Sequence, residues 1–188
     1  KVVDLNGNAI AVEELPDAKW KMNLPHKQRV TLSYEIRLDH ENYKWSGGID
    51  GIAFVKEWGV FYSGRTLLIF NGEGWKNIKV DFNLPKDWKV TTPWKKEKKK
   101  TNSFRASNIS ELANSLIFAG VHEEITFKRE GFELVFALGG EEVIAHKEEF
   151  KRLAEGVLDY YINLMGGIPN PPPDNKFKKS VVIINSSD

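Results

Sequence analysis

The sequence predicts a mainly β fold built of antiparallel sheets, followed by a small α+β segment. Three observations carry this expectation. Val30, Leu32, Tyr34, Ile36 and Leu38 alternate with Thr31, Ser33, Glu35 and Arg37. A period of two gives a strand one buried and one wet face. Glycine turns punctuate the early chain at Leu5-Asn6-Gly7-Asn8, Gly47-Gly48-Ile49-Asp50-Gly51 and Asn71-Gly72-Glu73-Gly74. Helical spacing, by contrast, is confined mainly to one long stretch near the end, at about 146–165.

Each element follows from its local pattern. Asn6-Gly7 tolerates positive φ and predicts a hairpin turn. The alternating run over 30–38 predicts the first clear strand. Residues 58–63 and 66–70 predict two more strands around Gly64-Arg65. Trp75 opens a strand in which Ile78, Val80 and Phe82 alternate. Pro85-Lys86-Asp87-Trp88 makes a turn into a short strand at Val90. Lys95 to Lys100, reading Lys-Lys-Glu-Lys-Lys-Lys, predicts an exposed loop and gives only a weak signal for an anionic or membrane-surface partner.

The second part changes character. Asn108 and Glu111 have the spacing of a capping box, which predicts a short helix through Ala113. Gly120 releases the chain into a hairpin turning at Arg129-Glu130-Gly131. Val121, Glu123, Ile125 and Phe127 share one side of its first arm. Phe132, Leu134, Phe136 and Leu138 share one side of the second. Glu123 is out of place on that apolar face, which suits an edge. Phe150, Leu153, Ala154, Val157, Leu158, Tyr161, Leu164 and Met165 form a wide helical stripe, ended by Gly166-Gly167. Pro169 and Pro171-Pro172-Pro173 keep the next stretch extended. Val181-Val182-Ile183-Ile184 predicts a strand covered on both faces. The expected domains are an antiparallel β domain over 1–103, a connecting segment with a short helix over 104–120, and a β-β-α-β segment over 121–188.

Composition narrows the classes. At 188 residues, with 41% hydrophobic and 28% charged content, the chain has the makeup of an ordinary globular protein. A net charge of +1 argues against a dedicated nucleic-acid binder. There is no Cys, hence no disulfide or thiolate chemistry. No apolar run reaches the length of a membrane span. Lys1 stands first without Met, as in a processed or trimmed chain.

Motifs for chemistry are sparse. Two His four residues apart on a helix, with Glu beside the first, would hold a zinc ion. His122-Glu123-Glu124-Ile125-Thr126 begins that way, but Thr stands at the second His position and the segment alternates like a strand. Side chains four apart on a strand are about 13 Å apart and cannot share a metal. His26, His40 and His146 are scattered, with His146 expected at the surface. No nucleophile elbow or phosphate loop is present. Asn108-Ile109-Ser110 and Asn185-Ser186-Ser187 match the glycosylation pattern, although Asn108 is better explained as a helix cap. The six Trp residues at 20, 45, 58, 75, 88 and 94 anchor a β core in the plain reading. Exposed ones, Trp45 first, would give a stand-alone module that binds glycan or protein.

The order of several segments resembles the N-terminal part of the glycyl aminopeptidase-like metallopeptidases, family M61. Those segments are Val30 to Leu38, Phe61-Tyr62 with Leu67-Leu68-Ile69-Phe70, and Leu84-Pro85-Lys86-Asp87-Trp88. They continue with Phe104-Arg105-Ala106, Glu111-Leu112-Ala113-Asn114-Ser115, Gly120, Leu164-Met165-Gly166-Gly167-Ile168-Pro169 and the strand from Val181. Asn114-Ser115-Leu116 stands where the family has Asp-Ser-Pro, and Phe177-Lys178-Lys179 with the Pro run replaces a tighter connection. The resemblance implies a β domain followed by the start of a thermolysin-like catalytic domain. It implies a non-catalytic front portion that packs against and borders the peptidase domain of the same bacterial chain. The parent would use zinc to hydrolyse peptides from the N-terminus. No catalytic residue, metal ligand or cofactor carries over to this chain. Trp45, Asn114, Ser115 and Phe177 are the candidate surface or cleft-bordering residues. The remainder of the peptidase chain is the expected partner, with no nucleic acid and no transmembrane segment. A periplasmic or cell-envelope location is expected over a cytoplasmic one.

Overall fold

The computed structural model describes residues 1–25, 28–38, 53–72, 74–98, 100–168 and 179–186. Two compact units emerge, Lys1–Arg37 and Leu38–Asp188.

The first unit holds β1 (Val2–Asp4), β2 (Glu13–Leu15), β3 (Lys19–Lys21) and β4 (Val30–Leu32). β1 pairs antiparallel with β4, and β2 with β3. The Asn6-Gly7 turn forms as its sequence demands. Gly7 has φ 86°, and the Asp4 carboxylate accepts from the amides of Asn6 and Asn8. The alternating run over 30–38 is strand only to Leu32, and Tyr34 and Ile36 are exposed. Its partner explains the difference. β1 ends at Asp4, where the chain turns, so only three rungs exist to pair with.

The second unit begins with β5 (Phe54–Lys56), β6 (Gly59–Ser63), α1 (Gly64–Leu67), β7 (Lys76–Asp81), β8 (Lys89–Thr91) and β9 (Lys95–Lys96). It continues with β10 (Ser103–Asn108), α2 (Ile109–Asn114) and β11 (Leu116–Gly120). These strands make two antiparallel sheets, ordered β5-β6-β11-β8 and β7-β10-β9. Val90, Trp94, Phe104, Ala106, Leu112, Ile117 and Ala119 form their shared core.

Three local expectations need correction here. Residues 66–70 are not a strand: a helical turn replaces its start. The Gly64 amide donates to the Ser115 carbonyl, Thr66 Oγ1 donates to the Ser63 carbonyl at 2.7 Å, and a Cβ on Gly64 would sit 1.9 Å from the Leu112 oxygen. Leu68 and Phe70 still reach the core. The lysine run is not wholly loop either. Lys95 and Lys96 form β9, because Arg105 and Phe104 of β10 offer them a free edge, and Glu97 pairs with Arg105. Asn108 caps α2 by accepting from the Glu111 amide at 2.8 Å, but Glu111 reaches back to the Ser107 amide instead of that of Asn108.

The last part of the chain builds β12 (His122–Arg129), β13 (Phe132–Gly139), α3 (Glu141–Ala145), α4 (Lys147–Met165) and β14 (Lys179–Asn185). β12 and β13 form the expected hairpin, its turn shaped by positive φ at Glu130 and Gly131. β14 lies parallel to β13, a pairing that requires the helical crossover between them. Ile125, Phe127, Leu138, Val143 and Ala154 make the core beneath the helices. β14 is an outer strand of this sheet, and Val182 is exposed. Its apolar run is therefore not covered on both faces. The fold is mainly antiparallel β with a small α+β region.

Candidate functional site

Helix α4 is the feature that the core does not use up. Its apolar stripe extends beyond the residues that pack on the three-stranded sheet beneath it. Phe150, Ala154 and Leu158 recur every four residues and pack onto the sheet. Leu153, Val157, Tyr160, Tyr161, Leu164 and Met165 remain exposed, Leu153 at 62% and Leu164 at 66%. Charges fix which side faces in. Arg129, ending β12, donates to both carboxylate oxygens of Asp159 at 2.9 and 3.2 Å and reaches Glu155. At the helix start, Lys147 pairs with Glu123. Glu123 therefore sits on the helix-facing side of β12 because a lysine meets it there. The same pair holds the Glu123 carboxyl below and the Lys147 amine above their usual ranges. Gly166 ends α4 in the left-handed region, and the Gly167 amide donates to the Ile162 carbonyl at 2.9 Å. A clamped helix thus presents a row of large apolar side chains to solvent.

The segment that begins like a zinc motif is strand β12, as its alternation predicts. His122 points away from α4 into a buried nest. Its Nε2 lies 2.6 Å from Thr91 Oγ1 on β8, and its Nδ1 lies 3.0 Å from the Gly120 carbonyl. The ring stacks on Phe118, with centroids 4.4 Å apart. Thr91 also donates to Glu124, whose carboxylate is 3.8 Å from Nε2. The imidazole first, then the Thr91 hydroxyl and the Lys89 charge, lower the Glu124 carboxyl to about 2 against the opposing effect of burial. Among the described residues no group of three or more His, Asp or Glu side chains gathers to hold a metal. The arrangement joins β8 to β12 through polar side chains.

Asn114 and Ser115 divide by location. Asn114 is exposed, accepts from Arg65 and donates to Ser110 Oγ at 3.2 Å. Ser115 is 3% exposed, within the core and not at the surface. Its Oγ accepts from Trp94 Nε1 at 2.8 Å and donates to the Glu111 carbonyl at 2.6 Å. Trp45 and Phe177 lie outside the described residues, as do His26 and His40. His146 is exposed beside Glu149.

Comparison with known families gives a match to the peptidase M61 N-terminal domain over residues 1–121. The chain belongs to this family. The matched segment of the M61 N-terminal domain ends one residue before β12, so the His122 nest and the α4 surface stand at and beyond its border. No curated protein matches the chain in a sequence search. Among solved structures, an aminopeptidase N family protein from Idiomarina loihiensis is similar, with a TM-score of 0.66 and 20% identity. The likeness covers 96% of this chain and 29% of that one, so the chain spans under a third of the protein it matches. At that identity the likeness speaks for the fold.

The sequence carries a signal for each feature. For α4 the signal is the stripe of eight apolar positions on a single helix. A His and a Glu two apart on an apolar arm share the face opposite Ile125, and a buried His beside such a Glu needs a polar partner from another element. Thr91 is that partner, thirty-one residues away from His122.

Proposed function

We propose that the chain is the non-catalytic front portion of an M61-type zinc aminopeptidase. In this reading the exposed face of α4 is where the rest of the peptidase chain packs. The observation that carries it is the row Leu153, Val157, Tyr160 and Leu164, flanking the sheet-packed side of α4 and continued past Leu158 by Tyr161 and Met165, all left open on a helix that is clamped to β12 and packed on its sheet. Membership of an M61 N-terminal family and the much longer similar structure support a continuing chain as the cover. The parent enzyme would cleave peptides from the N-terminus with one zinc ion held by residues outside this chain. The segment described here would border its cleft.

Two measurements test the reading. Hydrolysis of alanyl and glycyl anilides by this chain should stay at background with and without added zinc. Activity proportional to bound zinc would overturn the non-catalytic assignment. In a longer chain that carries an HExxH helix, hydrogen exchange should show α4 protected relative to this chain alone. Equal exchange in the two would remove α4 as the packing face.

A second reading rests on Trp75, 59% exposed on the 38–188 unit with its indole N–H held by the Asn71 carbonyl at 2.7 Å. An exposed, oriented indole is a stacking surface for a sugar ring. Tryptophan fluorescence that responds to oligosaccharides, and loses the response in Trp75→Ala, would favour a glycan-binding module.

A further inference from the structure

We propose that the outer face of the β7-β10-β9 sheet is a docking surface for an anionic lipid membrane, with Lys79, Arg105, Lys95, Lys96 and Lys98 as its cationic contacts.

Charge is not spread evenly along the chain. Residues 75–105 hold nine lysines and one arginine against three carboxylates, a net charge of +7 in a chain whose total is +1. The fold gathers part of this excess on one side of one sheet. Ile78 and Val80 of β7, with Phe104 and Ala106 of β10, face the core. Lys79 and Arg105, which alternate with them, therefore point outward. Lys79 lies directly opposite Arg105, and Arg105 lies directly opposite Lys95 of β9. Side chains directly opposite share a face. A cationic row thus crosses all three strands, about 10 Å from end to end at the usual strand spacing. Lys96 ends β9 and Lys98 follows it, both exposed.

Like charges directly opposite one another destabilise a sheet. Asp81 answers Lys79 and Glu97 answers Arg105. Lys76, Lys95, Lys96 and Lys98 make no ion pair among the described residues. Lysines commonly blunt an edge strand, which accounts for β9 taken alone. A row that includes the central strand calls for an anion from outside. Three features select a bilayer as its source. The row lies on a sheet face and not in a groove, so it can meet many headgroups at once. Nine of the ten cations are lysines, hydrated point charges that suit a diffuse negative surface, whereas the arginine fork suits a single phosphate. Trp75, directly before β7, is 59% exposed with its indole N–H satisfied by the Asn71 carbonyl. Its ring is free to lie at headgroup level.

Cosedimentation with vesicles tests this, using phosphatidylcholine alone and an equimolar mixture with phosphatidylglycerol at low ionic strength. The chain should bind the mixed vesicles, ignore the neutral ones, and come off as salt is raised. Lys95→Gln with Lys96→Gln and Lys98→Gln should weaken binding by on the order of 100-fold, about fivefold for each lysine. Lys128→Gln with Lys151→Gln and Arg152→Gln removes the same charge from exposed positions elsewhere and should leave most of the binding. No binding to the mixed vesicles overturns the proposal. Equal binding to neutral vesicles overturns it too, since the apolar row of α4 would then make the contact. An equal loss in the two triple variants would mean that net charge alone accounts for binding, and the sheet face would lose its role. Binding to heparin without binding to the mixed vesicles would replace the membrane by a soluble acidic polysaccharide.

Discussion

Ser115 joins the indole of Trp94 to the last turn of α2 through two hydrogen bonds made in the core. Ser115→Ala would leave the buried indole N–H without a partner. That change should cost about 1–3 kcal/mol, read as a lower urea midpoint at unchanged slope. Asn114 and Ser115 were candidates for a surface or cleft border because Asn114-Ser115-Leu116 stands where the resembled family has Asp-Ser-Pro. Burial of one of them depends on Trp94, far away in sequence, and no local pattern shows it. Glu124 gives the residue-scale pH prediction. Its folded carboxyl lies at about 2 against an ordinary value of 4.5. The unfolded chain therefore takes up the proton first as pH falls. Stability from this group is fully present above about pH 4.5 and is lost toward pH 2. The side chain is 37% exposed, so solvent screening leaves on the order of 1 kcal/mol. Thermal melts across that window should show the loss, and Glu124→Gln should remove it.

At the scale of elements, what succeeded and what failed have one cause. Strands with regular alternation and a full-length partner formed as expected, as in the β12–β13 hairpin. Alternation that outruns the short strand it pairs with did not, as in the run after Leu32. The continuous apolar stretch Leu67-Leu68-Ile69-Phe70 predicted a strand although it has no period of two, and the close approach of Gly64 to the Leu112 carbonyl places a helical turn at its start instead. For α4 the sequence shows the length, the glycine stop and the stripe. It does not show which part of the stripe is covered, because that depends on the width of a sheet assembled from distant segments. The two sides of the stripe should respond differently to mutation. Leu158→Ala faces the sheet core and should cost about 1–3 kcal/mol. Leu164→Ser faces solvent and should stay within about 0.5 kcal/mol. Paired urea titrations check both, and equal costs would mean that α4 is not clamped in the orientation set by Arg129 and Lys147.

For the whole molecule, the question is what an open apolar row does in water. Solvent-exposed leucine and tyrosine side chains in one contiguous row favour burial by roughly 25 cal/mol for each Å² removed. In the proposed reading a longer peptidase chain would remove that surface within one molecule. A chain lacking such a cover has a second copy as its nearest substitute, and that association must rise with concentration by mass action. Light scattering should therefore show a mass above the monomer at high protein concentration and a return to monomer on dilution. Leu153→Asp with Leu164→Asp should abolish the rise, while the melting temperature stays within a few degrees because neither side chain supports the core. The double variant separates this from general stickiness: association through the β14 edge would survive it, since β14 pairs along its backbone and not through α4. A monomer at every concentration, with no binding of an apolar dye, would mean that the α4 face is an ordinary solvated surface, and the packing role proposed for it would fall.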